Sequence, residues 1–207
     1  MSDPDWLVWV REAQSIAQTG LTFSPEGYDR ERYLALQALS ARMMAALGGG
    51  DPALLVTLFA AQTGYATPKV DVRGAVFRDD RLMLVREVAD GHRWTLPGGW
   101  ADVNLSPAEN VAKEIMEESG FEVAVDRLVA VLDRTKAGHP PQPFHAYKLF
   151  FLCSITGGVA TPSAETSEVG FFAEDELPAD LSHDRVLPAQ LHRMFRHHEA
   201  VLPPDFN

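Results

Sequence analysis

Leu96-Pro97-Gly98-Gly99-Trp100-Ala101-Asp102-Val103-Asn104-Leu105-Ser106-Pro107-Ala108-Glu109, continued after three residues by Lys113-Glu114-Ile115-Met116-Glu117-Glu118-Ser119-Gly120-Phe121, is the stretch that decides how this 207-residue chain is read. Ser106 suits an N-cap, Pro107 the first helical position, and Glu109 completes a capping box, while Gly120 stops the helix that this start predicts over Ser106 to Ser119. Ala108, Ala112 and Ile115 then face a core. Glu114, Glu117 and Glu118 fall at i, i+3 and i+4, so their carboxylates share one face. Like charges at that spacing repel by a few tenths of a kcal/mol per pair, on the order of the helix-pair energies, unless a cation sits between them. All-oxygen donors suit Mg²⁺ or Mn²⁺ and not zinc. The double glycine Gly98-Gly99 lets the backbone turn tightly and approach a ligand closely. A solvated acidic helix face is the competing reading of these carboxylates alone.

Outward from this segment, the chain changes period. On the N-terminal side Trp6, Trp9, Val10, Ala13, Ile16 and Ala17 recur at helical spacing, as do Tyr33, Leu36, Leu39, Met43 and Leu47, until Gly48-Gly49-Gly50 interrupts them. Asp51-Pro52 opens a third helix running to about Gln62, and Gly64–Pro68 reads as a linker. From Lys69 the pattern alternates: Val70, Val72, Gly74 and Val76, then Leu82–Val85 after Asp79-Asp80, a hairpin signal. Leu128–Leu132, Ala146–Ile155 and Val169–Phe172 are further strand-like runs, and Leu187 to about His197 is helical. Strands on both sides of one helix, in no strict alternation, predict an α+β sandwich.

Composition bounds the function classes. The formal charge of −11 argues against a basic surface gripping nucleic acid, so nucleic acid is not an expected partner. A phosphorylated small molecule is compatible, because bound cations neutralise charge locally. Cys153 is the only cysteine, which excludes an internal disulfide and a thiolate zinc site, and its apolar run marks a core thiol. The acidic start is unlike a secretory signal and no apolar run approaches the ~20 residues that cross a bilayer, so the expected compartment is cytoplasmic, with no membrane partner.

The central segment resembles the Nudix box, Gly-x5-Glu-x7-Arg-Glu-(apolar)-x-Glu-Glu-x-Gly-(apolar), through Gly99, Glu114, Ile115, Glu117, Glu118, Gly120 and Phe121. Leu105 stands where the box has its first Glu and Lys113 where it has Arg. That leaves the metal carboxylates and puts the bracing of the loop in doubt, since lysine lacks arginine's planar fork; the expectation is reduced rigidity or a substitute contact, with Asp102 a candidate for it, and not an inactive site. Asp71-Val72-Arg73, Leu84-Val85-Arg86-Glu87, Arg134-Thr135-Lys136 through Phe144–Lys148, Glu165–Phe172 and Tyr28–Tyr33 extend the likeness to the Nudix subgroup with a helical N-terminal extension, of CDP-choline or ADP-ribose pyrophosphatase type. The resemblance implies a Nudix α/β/α sandwich with a mixed sheet over 67–207, preceded by a small all-α domain over 1–66, and a homodimer. It implies a Mg²⁺-dependent hydrolase (Mn²⁺ as substitute) that splits a nucleoside diphosphate linked to X into a nucleoside monophosphate and X-phosphate. Glu114, Glu117, Glu118 and the Gly99 carbonyl are then the expected metal ligands. Glu165 is the expected general base, with Glu118 its main competitor and Glu168 after it.

Other residues carry weaker expectations. Arg73 and Arg86, in strands beside the box, are candidates to clamp phosphate oxygens together with the Gly98-Gly99 loop, against ordinary ion pairing. His139 and His145 read as ordinary loop histidines over a binding-loop role, Tyr28 and Arg32 as helix-packing residues over contacts to a nucleoside, and the Trp6/Trp9 face as buried against a second domain or subunit over a base-stacking platform. Two other functions compete: an RNA-end-processing enzyme, which should prefer a basic channel, and a degenerate Nudix domain that senses a nucleotide or metabolite without hydrolysing it.

Overall fold

The computed structural model describes residues 3–23 and 26–207, and the chain divides into two compact units. One takes in the N-terminal segment through Lys69 together with Pro140–His145; the other comprises Val70–His139 and Ala146–Asn207.

The first unit holds three helices, α1 (Asp5–Phe23), α2 (Gly27–Gly48) and α3 (Pro52–Ala60). Asp51 caps α3 by accepting the Ala53 amide at 2.8 Å, and the glycine run ends α2, with Gly49 at φ 79°. Leu7, Val10, Ala41, Met44 and Phe59 form the core, with Trp6 packed against it. Trp9, although at helical spacing from the others, stays 61% exposed, and Ile16 and Phe23 are also more than half exposed. Tyr28 and Arg32 do not pack within the helices as expected: they are exposed in α2's first turns, where Arg32 pairs with Asp29.

The second unit is built on a seven-stranded mixed sheet with strands β1 (Lys69–Arg78), β2 (Arg81–Glu87), β3 (Arg93–Thr95), β4 (Phe121–Asp133), β5 (Ala146–Gly158), β6 (Thr166–Phe172) and β7 (Asp205–Phe206). Their order is β3-β2-β1-β5-β4-β7, with β6 pairing on β2. The hairpin at Asp79-Asp80 forms with both residues at positive φ, the twist that two-residue hairpin loops favour. The strand seen in sequence only from Leu128 begins at Phe121. There Val123 and Val125 point inward between exposed Glu122, Ala124 and Asp126, and the bulged register against β5 blurs the alternation.

Period-two alternation splits the core between the two faces. Val72, Val76, Met83 and Phe151 meet α4 (Pro107–Ser119) through Val111 and Ile115. Ala75, Leu82, Leu84 and Phe150 meet α5 (Pro188–Glu199) through Leu191, Met194 and Phe195. Helix, sheet and helix make the three layers expected of the sandwich. Cys153 lies in the α4-side core, where burial pushes its thiol up to about 12.

Candidate active site

α4 starts as its sequence dictates. The Ser106 hydroxyl accepts the Glu109 amide at 3.2 Å, the Glu109 carboxylate accepts the Ser106 amide at 2.8 Å, and Gly120 closes the far end at φ 76°. The helix lies tight against β1 because position 74 is glycine: a Cβ there would stand 2.4 Å from Cδ1 of Ile115.

The Leu96–Ala101 loop runs beside β1 as an added strand. The Gly74 amide donates to the Pro97 carbonyl, Val72 to Gly99 and Ala101 to Val70, at 2.8–2.9 Å. Gly98 adopts φ +139°, and a Cβ on it would fall 2.0 Å from the Val72 carbonyl oxygen. Only glycine fits. Its amide, turned away from β1, donates to the Glu118 carboxylate at 2.8 Å. A Cβ on Gly99 would stand 2.9 Å from the Glu114 carboxylate, so Gly98 and Gly99 sit against two of the three helix carboxylates.

The three carboxylates occupy graded environments. Glu118 is 3% exposed; burial pushes its carboxyl up to about 8, with Glu114 and Glu87 pushing the same way and Arg73 and the Gly98 amide opposing. Glu114 is half-buried and also raised, first by burial, with the charges of Glu117 and Glu165 adding to it. Glu117 is exposed and turned to Lys113, 3.0 Å away. Lys113 also meets Asp102 at 3.1 Å, and these two partners raise its pKa. Of the two alternatives, reduced rigidity or a substitute for the missing Glu–Arg brace, the Asp102 contact is of the second kind. A second brace had no signal in the box pattern: Asn110 accepts from the Asp102 amide at 2.7 Å and donates to the carbonyls of Asp102, Leu105 and Ser106.

Among the described residues no three His, Cys, Asp or Glu side chains are gathered so as to hold a metal ion as they stand. The donor set nevertheless fits a hard divalent cation. Two neighbouring carboxyls are held above their ordinary range by burial and mutual repulsion, a strain that a cation relieves, and every side-chain donor is oxygen. Rotation of exposed Glu117 away from Lys113 would complete the face, and the Gly99 carbonyl keeps a second lone pair beyond its bond to Val72.

The structure does not give Arg73 a phosphate-clamping position. It is 3% exposed and forked onto Asp71 at 3.0 and 2.8 Å, with a third bond to the Leu96 carbonyl. Arg73 therefore anchors the entrance of the glycine loop from below. Lys148, buried on β5, binds the same Asp71 at 2.6 Å, and its single inward charge in an apolar strand was the overlooked sequence signal. Arg86 is partly exposed but engaged with the His92 carbonyl, Glu168 and Asp180. Glu168 is exposed and pairs with Arg86 at 3.4 Å. Glu165 is exposed, and its charge reaches Glu114; its carbonyl accepts the Val88 amide at 2.8 Å. The Thr166 hydroxyl bonds the Glu118 carbonyl, fixing this loop to the C-terminal end of α4. His139 is a buried, satisfied histidine between the His183 carbonyl and Gln190, and its pKa is lowered to about 4, first by burial.

Two family models divide the chain between them: a UDP-X-like N-terminal oligomerisation domain matches residues 4–59 and the NUDIX domain matches residues 67–190. The chain belongs to the Nudix family. Among relatives of this Nudix hydrolase, the Bacillus subtilis (strain 168) protein YjhB, which carries a provisional ADP-ribose pyrophosphatase name, is 50% identical over 92% of this chain and 90% of its own. A solved UDP-X diphosphatase is 33% identical, with each chain fully covered and a TM-score of 0.64. An ADP-ribose pyrophosphatase from Streptococcus suis 89-1591 is 37% identical over 68% of this chain and all of its own, with a TM-score of 0.62. The Nudix chain is accordingly a pyrophosphatase enzyme, and a divalent cation is the cofactor general to its family.

Proposed function

We propose that this Nudix hydrolase cleaves the diphosphate bridge of a nucleoside diphosphate linked to a second group X, of ADP-ribose or CDP-choline type, releasing a nucleoside monophosphate and X-phosphate with Mg²⁺ as cofactor. The observation that carries the reading is the face made by Glu114, Glu117 and Glu118 against a loop that only Gly98 can form. ADP-ribose is the favoured substrate on the names of two relatives, and a UDP-linked substrate is the second reading, favoured by the UDP-X diphosphatase that aligns with the whole chain.

Glu114, Glu117 and Glu118, with the Gly99 carbonyl, would hold the cation. When bound, it neutralises the diphosphate and makes the phosphorus more open to attack by water. Gly98 fixes Glu118 through its amide. Glu165 is the proposed general base: it is exposed, loop-borne and close enough for its charge to act on Glu114, whereas Glu118 is already tied to Gly98. The charge of −11 counts against RNA ends, and a sensor would have no use for a strained carboxylate cluster.

The division into a helical domain over 1–66 and a catalytic domain over 67–207 belongs to the same proposal, as do the homodimer and the cytoplasmic location. The first model's description as an oligomerisation domain supports assembly. Among the described residues no helix is long and apolar enough to cross a membrane. Incubation with Mg²⁺ and ADP-ribose, CDP-choline and a UDP-sugar, with detection of phosphomonoester products, tests the function. Hydrolysis of ADP-ribose above the others, falling at least ~100-fold in Glu117→Gln, is expected for loss of a metal carboxylate. No turnover of any of them, or full turnover by Glu117→Gln, would contradict it.

A further inference from the structure

Arg73 is buried and forked onto Asp71, which leaves the substrate's anionic bridge in need of another residue to grip it beside the cation. We infer that Arg185, on the turn before α5, is that residue, binding a diphosphate oxygen of the substrate; the inference rests on the proposed reaction.

Arg185 belongs to a rigid support. Its amide and that of Val186 donate to the Ser182 carbonyl, and the same segment is fastened to β3, with Ser182 donating to the Trp94 carbonyl and Trp94 to Asp180. Its guanidinium is 29% exposed and faces two carboxylates without being satisfied by either: Glu87 at 3.3 Å and Asp90 at 3.9 Å, with no side-chain hydrogen bond to either. The Asp90 Oδ2 it faces is buried and has no hydrogen-bond partner. Arg73, by contrast, has three short bonds at full burial.

Both carboxylates lead to the proposed site. Glu87, 6% exposed, pairs across the sheet with Thr166, whose hydroxyl bonds the Glu118 carbonyl, and its charge acts on Glu118 and Arg73. Asp90 closes the turn whose first amide, that of Val88, is hydrogen-bonded to Glu165. Arg185 is thereby linked, through Glu87 and Asp90, to the segments that carry Glu118 and the proposed base. A planar guanidinium with long, imperfect contacts is ready to exchange a carboxylate for a bidentate phosphate.

Full-length Arg185→Ala, Arg185→Lys and Glu87→Gln should be compared with wild type in ADP-ribose hydrolysis with Mg²⁺. Arg185→Ala is expected to raise KM at least 10-fold with kcat within about 3-fold, and Arg185→Lys to recover part of the loss. Glu87→Gln, which frees the guanidinium, should hold or lower KM. A KM unchanged in Arg185→Ala, or raised equally by Glu87→Gln, would make the pair a strut and overturn the inference. Should Arg185→Ala fail to fold, a KM for Arg185→Lys equal to wild type overturns it too. Calorimetric binding of inorganic pyrophosphate with Mg²⁺ reads the contact apart from turnover. Binding weakened at least 10-fold in Arg185→Lys supports the grip even if no test compound is hydrolysed; equal or absent binding in both proteins refutes it.

Discussion

At the scale of single residues, Gly98 and Glu118 explain each other. The backbone at 98 turns through φ +139° so that its amide leaves β1 and reaches the one helix carboxylate that is fully buried. Gly98→Ala would drive a methyl into the Val72 carbonyl oxygen, in a conformation that alanine avoids, and should cost about 3 kcal/mol of stability. The expected result in chemical denaturation is a midpoint lowered at unchanged slope, together with loss of hydrolysis; a midpoint equal to wild type would show that the loop is free to rearrange. The identities of these residues were readable in the sequence, because Gly-Gly before a capped acidic helix is a local pattern. The fate of Arg73 was not. Whether an arginine in a strand faces substrate or a buried Asp71 depends on Lys148, 75 residues further along the chain.

Elements were legible where one short-range rule governs them. Ser106, Pro107, Glu109 and Gly120 set the ends of α4, and Asp79-Asp80 set the β1–β2 hairpin. β3, only three residues long, and the outer half of β4 carried no distinct signal, since pairing with distant strands defines them. The loop bracing by Asn110 was equally invisible, because an asparagine inside a helix has many uses. The segment between β4 and β5 and the start of α5 supply a test at this scale. His139 stays neutral there, with Nδ1–H donating to the His183 carbonyl and Nε2 accepting from the Gln190 side-chain amide. Its folded pKa of about 4 lies below its ordinary 6.5, so the unfolded chain binds the extra proton between these values. The stabilisation is complete above pH 6.5 and is lost as pH falls through 4, by about 3 kcal/mol at most. Asp71, lowered to about 2 from 3.8, extends the loss at still lower pH in the same direction. Thermal melts from pH 7 to 4 should fall more steeply for wild type than for His139→Gln; parallel curves would contradict the assignment.

For the whole molecule, patterning revealed two kinds of architecture and the order in which they occur, but not which helical residues remain uncovered. Trp9, Ile16 and Phe23 recur every seven residues on α1 and are all more than half exposed, while Leu7, Val10 and Ala17 fill its inner face. The proposed dimer gives that stripe a use. Ile16→Glu should shift the mass seen by light scattering toward one chain without unfolding the helices; an unchanged mass would place the subunit contact elsewhere.

The account turns on divalent cations meeting the α4 carboxylates, and Mn²⁺ uptake followed by electron paramagnetic resonance in the presence of ADP-ribose measures that directly. Wild type should sequester Mn²⁺ from solution, with affinity reduced at least ~10-fold in Glu117→Gln and in Glu118→Gln, as expected for lost carboxylate ligands. Equal uptake by all three proteins, or no uptake by wild type, would contradict it.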